Sequence, residues 1–309
     1  MDHSQKKIRA ARVSIVTAVF LAVMKFAVGI FSGSMAVLSS AIDSMLDIVM
    51  SGVNYLAISH AEQPADANHP YGHGKFETLA TVIQSVVIGG SGVWIIIESV
   101  QRLMSGHAPG RLTGGIIALL ISVGVSFVLS RYLKQVARQT DSSALAADSL
   151  HFSMDIYTNL ALLVGLVVMS FFHLAWIDNL LSIVVACYII FEAGKLVRLA
   201  LRDVLDEQLP EDLRRQIIEI IVKNRSNVFS FHNLRTRRAG SQKLIDFHMT
   251  VCKHLSVDEA HRLTEDIEQD IRQLVAGADI MIHVEPCEQA GCNGPEDCTQ
   301  LVDKERETK

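Results

Sequence analysis

The chain has 309 residues, of which 50% are apolar and 20% are charged, and its mean hydropathy is +0.30. This composition excludes an ordinary soluble globular protein and indicates a membrane protein. With 28 basic and 33 acidic residues the formal net charge is -5, which lacks the basic excess expected of a nucleic-acid-binding protein.

Six apolar segments are long enough to cross the hydrocarbon core of a bilayer, which takes about 20 helical residues. The first has a basic flank, as a signal peptide has, but it is too long for the apolar part of one and contains Lys25. We therefore expect six retained transmembrane helices within a domain of residues 1–207. The segments lie at 13–31, 36–58, 79–104, 114–133, 145–172 and 176–201.

The basic residues predict that both termini face the cytoplasm, because loops on that side carry an excess of lysine and arginine. With a cytoplasmic N-terminus, eight of these residues lie inside and two lie outside. The inner residues are Lys6, Lys7, Arg9, Arg12, Lys75, Arg131, Lys134 and Arg138, and the outer residues are Arg102 and Arg111.

Beyond residue 201 the hydropathy pattern becomes that of a soluble domain. The α-β-β-α-β order of its predicted elements indicates a small α+β domain at 208–286. Residues 287–309 are rich in charge, glycine and proline, so we expect a disordered tail with reduced thiols at Cys287, Cys292 and Cys298. The predicted elements are a helix at 211–223, strands at 228–236 and 244–252, a helix at 257–274 capped by Ser256, and a strand at 280–285.

Two of the predicted membrane helices carry pairs of ionisable residues. Asp43 and Asp47 lie on the second helix, and His151 and Asp155 lie on the fifth. Each pair is spaced i, i+4, so its two side chains share one helix face. At 1.5 Å per residue, Asp47 and Asp155 lie about 17 and 15 Å from the cytoplasmic ends of their helices, near the midplane of the bilayer.

Inserting a charged side chain at that depth costs about 2.5 to 3.5 kcal/mol, so these residues are interpreted as functional. Three carboxylates and one imidazole form a four-ligand set for Zn²⁺, and Cd²⁺, Fe²⁺ and Mn²⁺ are also possible. The alternative is a hydrogen-bonded polar patch that holds two helices together.

Three further ionisable residues lie within the predicted helices. Lys25 and Glu98 are at similar depth in the first and third helices, and we interpret them as a structural ion pair. Asp148 lies one turn before His151 near the cytoplasmic mouth, where it either attracts cations or is a solvated helix end.

The loop between the second and third helices carries a carboxylate and two imidazoles within eight residues. Its glycines permit a tight wrap, so Asp66, His69 and His73 could form a partial metal site. The alternative is a solvated polar loop. The segment reads Asp66-Ala67-Asn68-His69-Pro70-Tyr71-Gly72-His73-Gly74-Lys75.

These motifs together resemble the cation diffusion facilitator family, and most closely its bacterial branch of zinc and ferrous-iron efflux pumps. The resemblance covers about residues 8–286 and rests on Asp43-x3-Asp47, His151-x3-Asp155 and the motif at 69–75. It implies a homodimer in the inner (plasma) membrane that exports divalent metal cations, Zn²⁺ first among them, in exchange for protons. It also implies a metallochaperone-like fold for the cytoplasmic domain.

The resemblance further implies roles for particular residues. It makes the four ionisable residues of the second and fifth helices the transport site, and the three loop residues a second metal site. In the cytoplasmic domain it implies a binuclear metal cluster that regulates transport. Glu285 departs from the family pattern, in which aspartate is common. The cluster ligands would be His232, His248, His261, His283 and Glu285.

Other classes of function fit the sequence less well. The chain lacks the H-E-x-x-H motif of metalloproteases, and no G-x-G-D motif of aspartyl proteases accompanies its intramembrane aspartates. A membrane protease is therefore disfavoured, and we expect that the protein is not an enzyme. A passive divalent-cation channel and a metal-sensing membrane protein remain alternatives. Proton counterflow would separate an antiporter from a channel, and net metal flux would separate it from a sensor.

Overall fold

A computed structural model describes residues 3–32, 35–105, 116–172, 176–223, 228–288 and 292–294. The chain forms two compact units, Met1–Arg202 and Asp203–Lys309, which are described separately. The domain limits expected from the sequence, after residues 207 and 286, remain predictions.

Six long helices follow one another from the N-terminus, in agreement with the six apolar segments. Four of them, α1, α3, α4 and α6, are long and apolar enough over their described residues to cross a membrane. The other two, α2 and α5, carry the predicted metal ligands. The bounds are α1 His3–Ser32, α2 Met35–Ala61, α3 Lys75–Ser105, α4 Ile116–Thr140, α5 Ser143–Phe172 and α6 Trp176–Val204.

Small residues allow the helices of the first unit to approach one another closely. α1 packs against α2 and α4, and α5 packs against α4, α3 and α2. Ala11 and Ala18 of α1 are buried in the same cluster as Phe152 of α5. On α3, a Cβ added at Gly92 would lie 2.7 Å from Ile190 Cγ1, so only glycine permits this approach to α6.

The second unit has the α-β-β-α-β order that the sequence predicts. Strand order in its sheet is β1-β2-β3, with β1 antiparallel and β3 parallel to β2. The parallel pair requires a crossover between β2 and β3, which α8 provides. The bounds are α7 Glu211–Lys223, β1 Val228–Ala239, β2 Gln242–Val251, α8 Val257–Leu274 and β3 Ala278–Pro286.

One face of this sheet is covered by helices and the other is open. Ile245, Phe247 and Met249 of β2 are buried with apolar residues of α7 and α8, whereas Asp246 and His248 alternate onto the opposite face. Side chains on that open face are therefore available to ligands.

The predicted start of α8 is confirmed by its capping geometry. The Ser256 side chain accepts a hydrogen bond from the Glu259 backbone N–H, and the Glu259 carboxylate accepts one from the Ser256 N–H. This capping box satisfies two backbone donors that the first turn of a helix otherwise leaves unpaired.

Part of the predicted tail has a defined place in the second unit. Cys287 and Cys292 are buried, contrary to the expectation for a disordered segment, and they pack beside Cys252 at the end of β2. Residues 289–291 and 295–309, including Cys298, lie outside the described residues, and disorder there stays a prediction.

Candidate metal centres

Helices α2 and α5 bring three of the four predicted intramembrane ligands together. Ligand atoms of Asp47, His151 and Asp155 all lie within 4.8 Å of one another, and His151 Nε2 is 2.9 Å from Asp47 Oδ1. Within the described part of the chain Asp43 lies outside this group, one turn away on α2, with its side chain exposed.

The three ligands of this group are held in a poorly hydrated setting. The side chains of Asp47 and His151 are only 15% and 10% exposed. Carboxylates removed from water require a partner, which here is either a proton shared with the imidazole or a bound cation. Two oxygens and one nitrogen suit a four-coordinate Zn²⁺ whose last position is open.

Asp148 is not a solvated helix end, so that interpretation is wrong. It is fully buried, and Gln84 Nε2 of α3 donates to its Oδ1 at 3.2 Å. Ser14 of α1 and Ser51 of α2, 3.2 Å apart, are also buried polar residues of this bundle. Because Asp148 is one turn before His151, it extends the polar face of α5 toward the start of the helix.

The predicted ion pair between Lys25 and Glu98 is also wrong. Lys25 Nζ donates to Ser44 Oγ at 2.8 Å, next to Asp43 on α2. Glu98 instead pairs with Arg102, one turn further along α3. Arg102 lies four residues after Glu98 on the same helix, so the two side chains can pair without a residue of α1.

The loop residues form a second group, in which Asp66 is the central member. Its Oδ1 accepts the His69 backbone N–H at 2.7 Å, and its Oδ2 lies 3.3 Å from His73 Nε2. The rings of His69 and His73 are 4.5 Å apart. Gly72, between them, has a φ of 77°, a left-handed conformation that glycine adopts at little cost.

The electrostatics of the loop favour a bound cation. The hydrogen bond from the His69 backbone N–H lowers the pKa of Asp66, which keeps the carboxylate ionised. His73 is 7% exposed, and its Nδ1 is buried without a hydrogen-bond partner among the described atoms. The two imidazoles and the carboxylate therefore fit a borderline metal ion such as Zn²⁺.

We expect His73→Ala to remove one zinc ion from the saturated protein, because it deletes the most buried ligand of the loop. Equilibrium dialysis followed by elemental analysis would measure this stoichiometry. His60→Ala is the matched control, since His60 is a nearby exposed histidine whose Nδ1 contacts the Leu56 carbonyl oxygen. Equal zinc content in His73→Ala and the wild type would exclude the loop site.

A third group lies on the open face of the cytoplasmic sheet. His232, His248 and His283 are directly paired across the three strands, with ring centroids 5.0 and 4.8 Å apart. Glu285 reaches the same place: its Oε1 is 2.8 Å from His248 Nδ1 and its Oε2 is 3.4 Å from His232 Nε2. Ligand atoms of His232, His248 and Glu285 lie within 4.8 Å of one another, and His283 Nε2 lies beside them, 3.8 Å from Glu285 Oε1.

Glu285 is well suited to hold a cation although it replaces the aspartate common in the family. Its hydrogen bond with His248 is the main reason that the pKa of Glu285 is lowered, so the carboxylate is ionised at neutral pH. Each of its oxygens contacts a different histidine, which permits the carboxylate to bridge two ions.

The structure does not bring His261 into this group. His261 lies on α8, which covers the opposite face of the sheet, and its Nε2 is 3.4 Å from Glu265 Oε1. Its role in a binuclear cluster therefore stays a prediction from the family resemblance.

A fourth group was missed by the sequence analysis because one of its members is distant in sequence. Ligand atoms of Cys252, Cys287 and Cys292 lie within 4.8 Å of one another. A signal was present in the predicted order of elements, because a helix between two strands is typical of a parallel pair, whose corresponding ends lie at the same edge of a sheet.

Comparison with known proteins places these groups in a family context. A family model described as the cation efflux transmembrane domain matches residues 11–205, and one described as the cation efflux protein cytoplasmic domain matches residues 209–287. The cation-efflux pump FieF of Shewanella oneidensis is 35% identical over 277 residues, which are 90% of this chain and 93% of that protein.

Two further similar proteins cover 90% and 26% of this chain, respectively. The cation-efflux pump FieF of Citrobacter koseri is 34% identical over 284 residues, covering 90% of this chain and 92% of that protein. The metal-bound C-terminal domain of the CzcD transporter from Thermotoga maritima is 30% identical and covers 26% of this chain and 92% of that structure, with a TM-score of 0.24.

Proposed function

The chain belongs to the cation efflux family, and from that premise we propose that it is an antiporter that exports divalent metal cations, Zn²⁺ in particular, in exchange for protons. The family consists of multi-pass membrane transporters of metal cations and not of enzymes. The observation that carries the proposal is the intramembrane group of Asp47, His151 and Asp155.

Proton exchange follows from the chemistry of these ligands. A metal ion binds deprotonated carboxylates and a neutral imidazole, so protons and metal compete for the same atoms. His151 Nε2 can bind a metal only when it no longer carries the proton that it shares with Asp47. Histidine changes its charge closest to physiological pH, which makes His151 the residue expected to couple the two flows.

Transport requires that this group open to one side of the membrane at a time. We place the site near the midplane, loaded from the cytoplasm, with both chain termini on the cytoplasmic side of the inner membrane. Rocking of one part of the helix bundle against another then exposes the ion to the outside. Protons entering from outside displace the ion and are carried inward.

The ligand types support Zn²⁺ as the preferred substrate. One nitrogen among oxygen ligands suits a borderline cation, and Zn²⁺ accepts the tetrahedral arrangement without any preference from d electrons. Fe²⁺, Cd²⁺ and Mn²⁺ bind the same donor set, so competition among the four metals decides the ranking.

The test is metal transport by the purified protein in lipid vesicles that contain a pH-sensitive dye and a metal indicator. We expect zinc entering the vesicles to move protons outward, and an imposed proton gradient to drive zinc against its own gradient. Zinc flux without proton movement would support a passive channel instead. Zinc binding without any flux would support a metal sensor.

We further propose that the protein acts as a homodimer regulated by its cytoplasmic domain. The family model that matches residues 209–287 describes a cation efflux cytoplasmic domain and is named for a dimer. Metal on the open face of the sheet would neutralise Glu285, which removes repulsion between two such domains and allows them to close. The histidines of this face then set the metal level at which transport starts.

His283→Ala should therefore raise the free zinc level for half-maximal transport by about 10- to 100-fold while saturated flux changes little. Initial rates of vesicle uptake over a range of buffered zinc concentrations would measure this threshold. His261→Ala is the informative comparison. If it raises the zinc threshold equally, His261 is a ligand of the assembled cluster. If the threshold does not change, His261 only contacts Glu265 and is not a ligand. Loss of all flux in His283→Ala at saturating zinc would contradict a regulatory role.

A further inference from the structure

Three cysteines of the cytoplasmic unit converge at the edge where two parallel strands end. Cys252 directly follows β2 and Cys287 directly follows β3. The last paired residues of these strands are Val251 and Pro286, and the Cys287 N–H donates to the Val251 carbonyl oxygen at 2.8 Å. The sheet itself therefore holds the first two thiols side by side.

The third thiol is returned to the same place by the segment after β3. Cys292 Sγ lies 3.6 Å from Cys252 Sγ. The Cys292 carbonyl oxygen accepts a hydrogen bond from His254 Nε2 at 2.7 Å, which fixes this segment against the residues that follow β2. Contacts of both its sulfur atom and its backbone thus hold Cys292 in position.

The spacing of the sulfur atoms is that of a metal site and not of a disulfide. A disulfide joins two sulfurs at about 2.05 Å and cannot use a third. In a tetrahedral thiolate site with metal–sulfur bonds of about 2.3 Å, neighbouring sulfurs are about 3.8 Å apart. The distance of 3.6 Å and the limit of 4.8 Å for the whole group bracket that value.

The group is also shielded from solvent, as structural and regulatory thiolate sites are. Cys252 and Cys287 are 4% exposed and Cys292 is 7% exposed, with Leu255 packed against them. We expect this unit to face the cytoplasm, a reducing compartment in which disulfides are rare. Disulfide formation therefore does not explain why three thiols are buried together.

From these observations we propose that Cys252, Cys287 and Cys292 form a thiolate site for a soft metal ion of the zinc and cadmium class. Sulfur ligands select such ions over Mn²⁺ and Mg²⁺, in contrast to the oxygen-rich group within the membrane. The bound ion ties the segment after β3 to the end of β2.

This site is distinct from the histidine cluster but adjacent to it. Only Pro286 separates Cys287 from Glu285, which contacts two of the clustered histidines. An ion held by the thiols therefore fixes the end of β3 and with it the position of Glu285. Binding of a soft metal ion at this site would therefore affect the cytoplasmic domain. The ligands are thiolates, which the other three groups lack.

The experiment is a cadmium titration of the full-length protein in detergent, without oxygen and with a phosphine in place of thiol reductants. We expect an ultraviolet sulfur-to-cadmium charge-transfer band that saturates at one ion per chain. Cadmium should also protect three of the five cysteines from alkylation, as counted by mass spectrometry. Carboxylates and imidazoles give no such band, so the other metal groups do not contribute to it.

Cys292→Ser should weaken cadmium binding at this site by at least about 100-fold and abolish the band, since even outer partners of a metal site contribute about 10- to 100-fold. Cys187→Ser, which removes an exposed thiol of α6, is the matched control and should retain the band. If Cys292→Ser proves unfolded by circular dichroism, the band and the thiol protection of the wild type decide the question.

The assignment would be overturned by cadmium saturation without a charge-transfer band, by protection of fewer than three thiols, or by a full band in folded Cys292→Ser. None of these results bears on transport, because the intramembrane group contains no sulfur. Conversely, a protein that fails to transport metal can still bind cadmium at this site.

Discussion

Asp155→Asn should reduce zinc export by reconstituted vesicles to the background of protein-free vesicles, a loss of at least about 100-fold. Asparagine has nearly the same shape as aspartate but carries no charge and offers one oxygen fewer to a cation. The intramembrane group has only three ligands among the described residues, so removing one leaves Asp47 and His151 without tetrahedral geometry. A residue that binds the metal directly contributes at least as much to metal affinity as the residues that hydrogen-bond to the ligands. Those outer residues contribute about 10- to 100-fold.

Glu192→Gln is the matched control for this variant. It makes the same change from carboxylate to amide on a membrane helix, but Glu192 pairs with the exposed Lys195 on α6. We expect it to transport at close to the wild-type rate. Size-exclusion chromatography of both variants should show the same oligomer as the wild type. Wild-type zinc flux in Asp155→Asn would exclude the proposed transport site.

His151→Asp should shift the metal preference from Zn²⁺ toward Mn²⁺. The substitution removes the only nitrogen of the group and leaves oxygen ligands, which suit harder cations. It also removes an imidazole, the side-chain type whose ordinary pKa lies closest to physiological pH, so the coupling of metal flux to protons should weaken at pH 7.

Competition between equal concentrations of zinc and manganese in vesicle uptake measures this change directly. The matched control is His60→Asp, which makes the same substitution at an exposed histidine in the last turn of α2, outside the proposed metal groups. It should leave the ranking of the two metals unaltered. An unchanged ranking in His151→Asp would show that this imidazole does not set selectivity, even if the site itself is correct.

Local patterns were sufficient for the secondary structure and for the pairing of ligands on single elements. Apolar length predicted six helices, and the capping motif at Ser256 predicted where α8 begins. The i, i+4 spacing placed His151 and Asp155 on one face of α5, because helical periodicity depends only on the backbone.

Contacts between elements could not be read from those patterns. The sequence favoured a partner for Lys25 on α3, but packing of α1 against α2 places its Nζ at Ser44. The same spacing argument made Asp43 equivalent to Asp47, yet only Asp47 reaches the ligands on α5. The rotation of one helix about its axis relative to the next decides which of two residues on a face makes contact.

The sequence by itself determined the class of protein, the order of its elements and the chemical types of its ligands, because these depend on composition and on short-range periodicity. Only the tertiary structure decided which ligands meet. It joined Cys252 to two cysteines 35 and 40 positions later, through the parallel pairing of β2 with β3 and the return of the following segment. Such contacts depend on strand register and helix packing, which the folded chain as a whole establishes.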